Sequence, residues 1–89
     1  MQTEKITGIF IKDGYVHAKP ERGTYPMIYR AAKGVYWDES TESLYYKGKV
    51  SKETALKFIG ETMQNEYYVT IILENWYKKG YQGVFNDFV

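Results

Sequence analysis

The sequence predicts an α+β fold: an antiparallel sheet of about five strands with one helix packed on one face. Three observations support this prediction. An Asp13-Gly14 turn separates two alternating apolar runs, residues 52–65 repeat apolar side chains at helical spacing, and residues 67–73 are rich in β-branched and aromatic side chains. The elements follow in the order ββ-ββ-α-β. A curled, barrel-like sheet with the helix at one end is the alternative.

The first hairpin joins residues 6–12 to residues 15–19 through Asp13-Gly14, a pair that accepts the positive φ angles of a tight turn. A turn this short sets the register of the two strands, and it places Phe10 opposite His17. The face predicted to enter the core carries four apolar side chains, Ile9, Ile11, Val16 and Ala18. The other face is half polar and half aromatic, with Phe10, Lys12, Tyr15 and His17.

The middle of the chain predicts a third strand over residues 25–32, where Pro26 indicates a sheet edge or the beginning of a strand. A second hairpin is expected to pair residues 35–37 with residues 44–46 across a polar turn. Trp37 lies in this hairpin, and we expect its ring to pack in the core because the partner strand is apolar at the matching positions.

Ser51 predicts the start of a helix, because a serine side chain accepts hydrogen bonds from the first free N–H groups. The helix should run from about Lys52 to about Asn65. Its apolar positions share one broad face, with Ala55, Leu56, Phe58, Ile59 and Met63. Residues 67–73 are apolar on both faces, which predicts a central strand. Residues 74–89 fit either a short helix or an irregular segment.

The composition indicates one small domain, residues 1–89, that is stabilised by packing alone or partly by a second copy of the chain, since the 89 residues include no cysteine. The net charge of +1 is smaller than strong attraction to nucleic acid or anionic lipid usually requires. No run resembles a signal peptide or is long enough to cross a bilayer. We therefore expect a cytoplasmic protein that uses no cofactor and no metal.

Tyrosine is the most informative feature of the composition, with 10 tyrosines against four phenylalanines. A core of this size cannot give every buried phenol a hydrogen-bond partner, so several of the rings must lie at the surface. Tyrosine supplies large contact areas to protein interfaces with little loss of side-chain entropy. We predict a non-enzymatic protein-binding module, of the inhibitor or adaptor type, that binds through Phe10, Tyr15, His17, Tyr77 and Tyr81.

Two other functions fit the same rings. Rings beside cations are typical of single-strand nucleic-acid platforms, and such a domain would use Arg30, Lys47, Lys49, Lys78 and Lys79. The near-neutral charge favours a protein partner over a nucleic acid. The aromatic surface or an edge strand could also join two copies of the chain in a homodimer.

Catalytic residues are difficult to assemble from this sequence. It has no thiol, and His17, its only histidine, is predicted to lie on the surface of the first hairpin. The acids of the polar turn, Asp38, Glu39 and Glu42, should be solvated, with nothing nearby to shift a pKa. The same turn fails as a calcium loop, because Ser43 stands where such a loop needs glycine.

The ends of the predicted helix carry charges that oppose its dipole, which favours acids at the start and bases at the end. Lys47, Lys49 and Lys52 surround the start, where free N–H groups could bind an anion. A capped helix start needs no ligand, so an ordinary helix beginning explains the same pattern. Glu61 and Glu66 lie toward the other end.

Overall fold

The computed structural model describes residues 2–28 and 34–73, which form a five-stranded sheet with one helix on one face. The strands are β1 (Gln2–Lys12), β2 (Tyr15–Pro20), β3 (Val35–Asp38), β4 (Ser43–Tyr46) and β5 (Val69–Ile72), and the helix is α1 (Lys52–Tyr67). Their order across the sheet is β3-β4-β2-β1-β5. The α+β prediction is confirmed. The purely antiparallel sheet is wrong, because this sheet is mixed, and the order of its strands also differs from the predicted one.

The parallel pair is β1 with β5, with Gln2 opposite Val69. All other pairs are antiparallel. α1 returns the chain to the end of the sheet at which β4 began, so β5 must run in the same direction as β4 and β1. β5 also corrects the prediction of a central strand over residues 67–73, since within the described part of the chain it has one neighbour and lies at the sheet edge.

The first hairpin has the predicted register. Asp13 and Gly14 take φ angles of 55° and 83°, and Phe10 lies opposite His17. A register shift between Ile6 and Gly8 interrupts β1. Even-numbered residues face the core before the shift, and odd-numbered residues face it after the shift. Ile6 and Ile9 are accordingly both buried.

Ile11 contradicts the prediction of a core position, because its side chain is 37% exposed. It stands beside the turn, at the end of β1, while its cross-strand partner Val16 is buried. Ile11 lies on the side of the sheet that the alternation predicts, but at an exposed end of the strand.

The predicted strand over residues 25–32 is wrong at residues 25–28, and residues 29–32 lie outside the described part of the chain. Ile28 N–H donates to the Tyr25 carbonyl at 3.1 Å, which closes a turn. Pro26 has no N–H to donate to a sheet ladder, so the turn uses this position without loss. Ile28 is nonetheless buried, so the turn contributes to the core.

The helix begins as predicted and ends two residues late, at Tyr67 instead of Asn65. The Ser51 hydroxyl accepts from Thr54 N–H at 3.2 Å, which confirms the cap. The helix is terminated by Tyr68, whose φ of 56° is left-handed. Its apolar face packs with the sheet in a core of small and aliphatic side chains, among them Ile6, Ile9, Ala18, Val35, Leu44, Ala55, Ile59 and Met63.

Trp37 packs against this core and is half-buried. Within the described ranges no helix combines the length and the hydropathy that a bilayer span requires. The predicted structure of residues 74–89 lies outside those ranges.

Candidate functional site

The sheet face opposite α1 carries one ring on each of four adjacent strands, and we call this set the ring row. It consists of Phe10 on β1, His17 on β2, Tyr45 on β4 and Tyr36 on β3, and each is the register partner of the next. The residues flanking Tyr45 along β4, Leu44 and Tyr46, point to the other face, because side chains alternate along a strand. The ring row is therefore built by the sheet register itself.

The rings of this row stack on one another. The centroid of His17 lies 4.9 Å from Phe10 and 4.8 Å from Tyr45, with interplanar angles of 19° and 18°. These separations match the spacing of neighbouring strands, about 4.8 Å. Rings lying flat on the sheet would collide at this distance, so the rings stand upright and turn their edges outward. Tyr36 continues the row at 5.8 Å from Tyr45 and is tilted by 32°.

His17 lies at the centre of the row and is 2% exposed, which corrects the prediction of a surface histidine. Its two stacked neighbours cover both ring faces, and its Nδ1 lies 2.7 Å from the Ser43 hydroxyl. That hydroxyl also lies 2.6 Å from Thr41 Oγ1. Burial lowers the pKa of His17, against the opposing pull of the Asp38 carboxylate, so the imidazole is neutral at pH 7.

Asp38 lies at the rim of the row and binds Lys12, whose ammonium is 2.6 Å from Oδ2. Oδ1 accepts from the backbone N–H and the hydroxyl of Ser40, at 2.9 and 2.7 Å. The Lys12 hydrogen bond and those from Ser40 lower the pKa of Asp38, and the same bond raises the pKa of Lys12. The prediction that nothing would shift the pKa of a turn acid is wrong for Asp38, because β1 brings Lys12 to it.

Ser43, His17 and Asp38 are the three residue types of a nucleophilic triad, but their arrangement differs from a triad. In a triad the serine and the carboxylate contact opposite ring nitrogens of the histidine. Here Ser43 Oγ and Asp38 Oδ2 both approach Nδ1, at 2.7 and 3.9 Å. Ser43 is also fully buried, so its hydroxyl cannot reach a substrate.

A cavity of about 390 Å³ opens beside the row. Its walls include Lys12, Tyr15, His17, Asp38, Tyr45 and Lys47. The Tyr15 ring lies 6.1 Å from that of Tyr45 and widens the aromatic surface by one residue. Cations and carboxylates are mixed around the opening, so the cavity presents no single sign of charge.

The structure brings three of the predicted protein-binding residues, Phe10, Tyr15 and His17, to this one face. The other two, Tyr77 and Tyr81, lie outside the described residues, as do three residues of the nucleic-acid alternative, Arg30, Lys78 and Lys79. Of the remaining cations, the Lys47 ammonium lies 6.0 Å from the Tyr36 ring centroid, and Lys49 is exposed between β4 and α1. In the described ranges no three His, Asp or Glu side chains form a group that could hold a metal ion.

Sequence reasoning missed the half of the row that the second hairpin supplies, Tyr36 and Tyr45, together with Ser43. Their alternation with the core residues Val35 and Leu44 was a usable signal for the face on which they lie. No local signal says that β4 pairs with β2, which is what joins the two aromatic pairs into one row.

A second buried polar cluster was also missed. The Glu4 carboxylate accepts from the Tyr25 hydroxyl at 2.7 Å and from the Gly23 and Arg22 N–H groups at 2.8 and 3.1 Å. Burial, together with the bond to Glu4, raises the pKa of Tyr25. Because the carboxylate satisfies two backbone donors and a phenol, it holds the loop after β2 against β1.

Comparison with known proteins identifies one solved structure. No protein-family model matches the chain, and no curated protein matches it. The structure of the integron cassette protein Hfx_Cass5, from the mobile metagenome of the North West Arm sewage outfall, is 32% identical, with a TM-score of 0.50. The match covers 82% of this chain and 76% of that chain. This chain belongs to the family of that integron cassette protein. The cassette protein's name states a source and no activity, so membership of its family supports the small α+β domain alone.

Proposed function

We propose that this chain is a non-enzymatic protein-binding module, of the inhibitor or adaptor type, and that its docking surface is the ring row with Tyr15. The observation that carries the proposal is the stacking of Phe10, His17 and Tyr45 on a face that α1 does not cover. The partner we propose is a folded protein that offers apolar groups to the ring edges and acceptors to the tyrosine hydroxyls.

Rigidity is the first physical reason for this proposal. Each ring of the row is held by its neighbours and by the strand register, so little side-chain entropy remains to be lost on binding. Tyrosine is also among the residues that dominate measured binding energies at protein interfaces. A fixed surface of this kind binds as it stands, without rearrangement of the sheet.

The direction in which the rings point favours protein over nucleic acid. A single-strand platform stacks bases on exposed ring faces. In the ring row both faces of His17 are occupied by Phe10 and Tyr45. The edges that remain suit hydroxyl and C–H contacts, which a protein surface offers in greater variety than a base.

The same geometry supports a binding role over catalysis. The buried Ser43 hydroxyl satisfies a neutral His17, and the Asp38 carboxylate is neutralised by Lys12. The serine hydroxyl, the imidazole and the Asp38 carboxylate therefore each have a partner within the described fold, and these groups stabilise the row instead of leaving a reactive atom exposed. We accordingly include the absence of enzymatic activity in the proposal.

The experiment is affinity capture with the full chain and two variants, followed by titration of each captured protein in purified form. The test variant is Tyr15→Ala with Tyr36→Ala, at two accessible positions of the docking surface. The control is Tyr68→Ala, whose ring is 72% exposed beyond the end of α1. We expect the test variant to bind the captured protein at least about tenfold more weakly than the parent chain, as is typical of tyrosine hot spots. The control should bind as tightly as the parent chain.

Equal binding by all three proteins, with circular dichroism showing that each is folded, would remove the ring row as the docking surface. Nuclease treatment of the captured material distinguishes the nucleic-acid-binding alternative from the protein-binding module. If nuclease releases every partner and binding weakens steeply with salt, the chain binds nucleic acid and the proposal is wrong. If the chain captures only itself, and light scattering gives a dimer that the test variant dissociates, the same surface joins two copies.

A further inference from the structure

A second cavity, of about 260 Å³, lies on the helix side of the sheet, away from the ring row. It is lined by Tyr46 of β4 and by one side of the second half of α1, with Phe58, Glu61, Thr62, Asn65 and Glu66. The cavity therefore combines aromatic walls, carboxylates and a carboxamide. Tyr46 also packs against the core, but the carboxylates and the carboxamide belong neither to the core nor to the proposed docking surface.

The aromatic wall is built by the fold. The Tyr46 and Phe58 centroids are 4.9 Å apart, with an angle of 36° between the rings. Gly34 and Gly48 flank the Tyr46 ring so closely that a Cβ on Gly34 would lie 3.1 Å from Tyr46 Cε1, and one on Gly48 would overlap the ring. The two glycines thus leave the space that the ring needs, and the ring is held against the helix.

Two of the remaining lining residues, Glu61 and Glu66, carry negative charge. Glu61 and Glu66 are exposed, and within the described residues neither forms an ion pair. Both lie toward the carboxyl end of α1, where the helix dipole already contributes negative potential, and the last turn contains no basic residue. The charge placement that looked unfavourable in the sequence therefore surrounds a cavity, and a bound cation would relieve it.

We infer that this cavity binds a guanidinium group carried on a short aliphatic stem. A planar guanidinium can stack on a ring and donate paired hydrogen bonds to a carboxylate, which the Tyr46–Phe58 wall and the two glutamates supply. The aliphatic stem packs on the ring wall. A bare divalent metal ion suits the cavity less well, since it requires a shell of oxygen ligands and four of the six lining residues are aromatic or neutral.

Isosteric probes test the charge requirement directly. Butylguanidinium and butylurea have the same shape, and only the first is charged; each is titrated into the full ¹⁵N-labelled chain while amide shifts are followed by NMR. We expect saturable shifts around Phe58, Thr62 and Asn65 with butylguanidinium and none with butylurea. A second pair, acetyl-Gly-Arg-Gly-amide and its citrulline counterpart, distinguishes an arginine side chain of a protein partner from a free small-molecule guanidinium. Tighter binding of the arginine peptide than of butylguanidinium assigns the cavity to a protein side chain.

A charge-matched pair of variants locates the site. The double variant Glu61→Gln with Glu66→Gln should weaken butylguanidinium binding about tenfold, because it removes two ion pairs that each contribute modestly to the affinity. Glu39→Gln with Glu53→Gln removes the same charge from exposed positions outside the cavity and should leave binding unchanged. Absence of saturable shifts, equal binding of butylurea, or equal weakening in the two variants would overturn the inference. These outcomes do not depend on the ring row, so the two proposals succeed or fail separately.

Discussion

The two faces of the sheet use the same strands for different purposes. The face under α1 is mostly apolar, with side chains such as Ala18 and Leu44 fully buried in one hydrophobic cluster. The opposite face is aromatic and polar, and among its described rings His17 is fully enclosed and is held by stacking and a hydroxyl. Under the helix, the side chains are ordered by apolar packing. The open face is ordered instead by hydrogen bonds and ring contacts, and α1 leaves its outer surface uncovered.

Truncation of the helix-covered face should have the largest effect. Ile59→Ala removes a fully buried side chain from the centre of that face. We expect a loss of about 2–5 kcal/mol in the free energy of unfolding, as for other large-to-small core substitutions. Urea unfolding of the full chain measures it, and Lys57→Ala, at an exposed position of the same helix, is the control. A loss no greater than that of the control would show that α1 contributes little to the core.

Removal of the hydroxyl on the open face should have a smaller effect. Ser43→Ala leaves His17 Nδ1 without its 2.7 Å partner in a buried site. A loss of about 1–3 kcal/mol is expected for an unsatisfied buried polar atom, against almost none for Thr24→Ala at an exposed position. Chemical denaturation gives both values. A neutral result for Ser43→Ala would indicate that the open face is held by ring stacking alone.

The smallest effect is a change in the pH dependence of stability. The folded pKa of His17 lies below its unfolded value of 6.5, mainly through burial, with Asp38 and Lys12 nearby acting in opposite directions. The unfolded chain therefore binds more protons, so stability is full above about pH 6.5 and falls as the pH is lowered through and below that value. His17→Phe keeps a stacked ring and removes the titration. Between about pH 8 and pH 5, the free energy of unfolding should fall less steeply with decreasing pH in the variant than in the parent chain. Equal slopes would assign the pH dependence to other groups.

Local chemistry allowed the first hairpin and the start of the helix to be predicted. The Asp13-Gly14 turn determines the register of the first hairpin, and the Ser51 cap determines where α1 begins, because each depends on neighbouring residues only. The same register placed Phe10 and His17 side by side. The rest of the fold depends on which strands meet: β4 beside β2 buries His17, and β5 beside β1 makes the sheet mixed. Those pairings are long-range, and no turn signal encodes them.

The division of β1 between two partners also sets an order of events during translation. Residues 6–12 can pair with β2 as soon as the hairpin has left the ribosome, since hairpins close in about 1–10 μs. Residues 2–5 wait for Val69–Ile72, which follows seconds later at elongation rates of about 5–20 residues per second. During that interval the nascent sheet exposes an unpaired edge along residues 2–5, the part of the sheet that is translated first. A ribosome stalled within α1 would prolong this exposure, and neighbouring nascent chains on the same message could pair there.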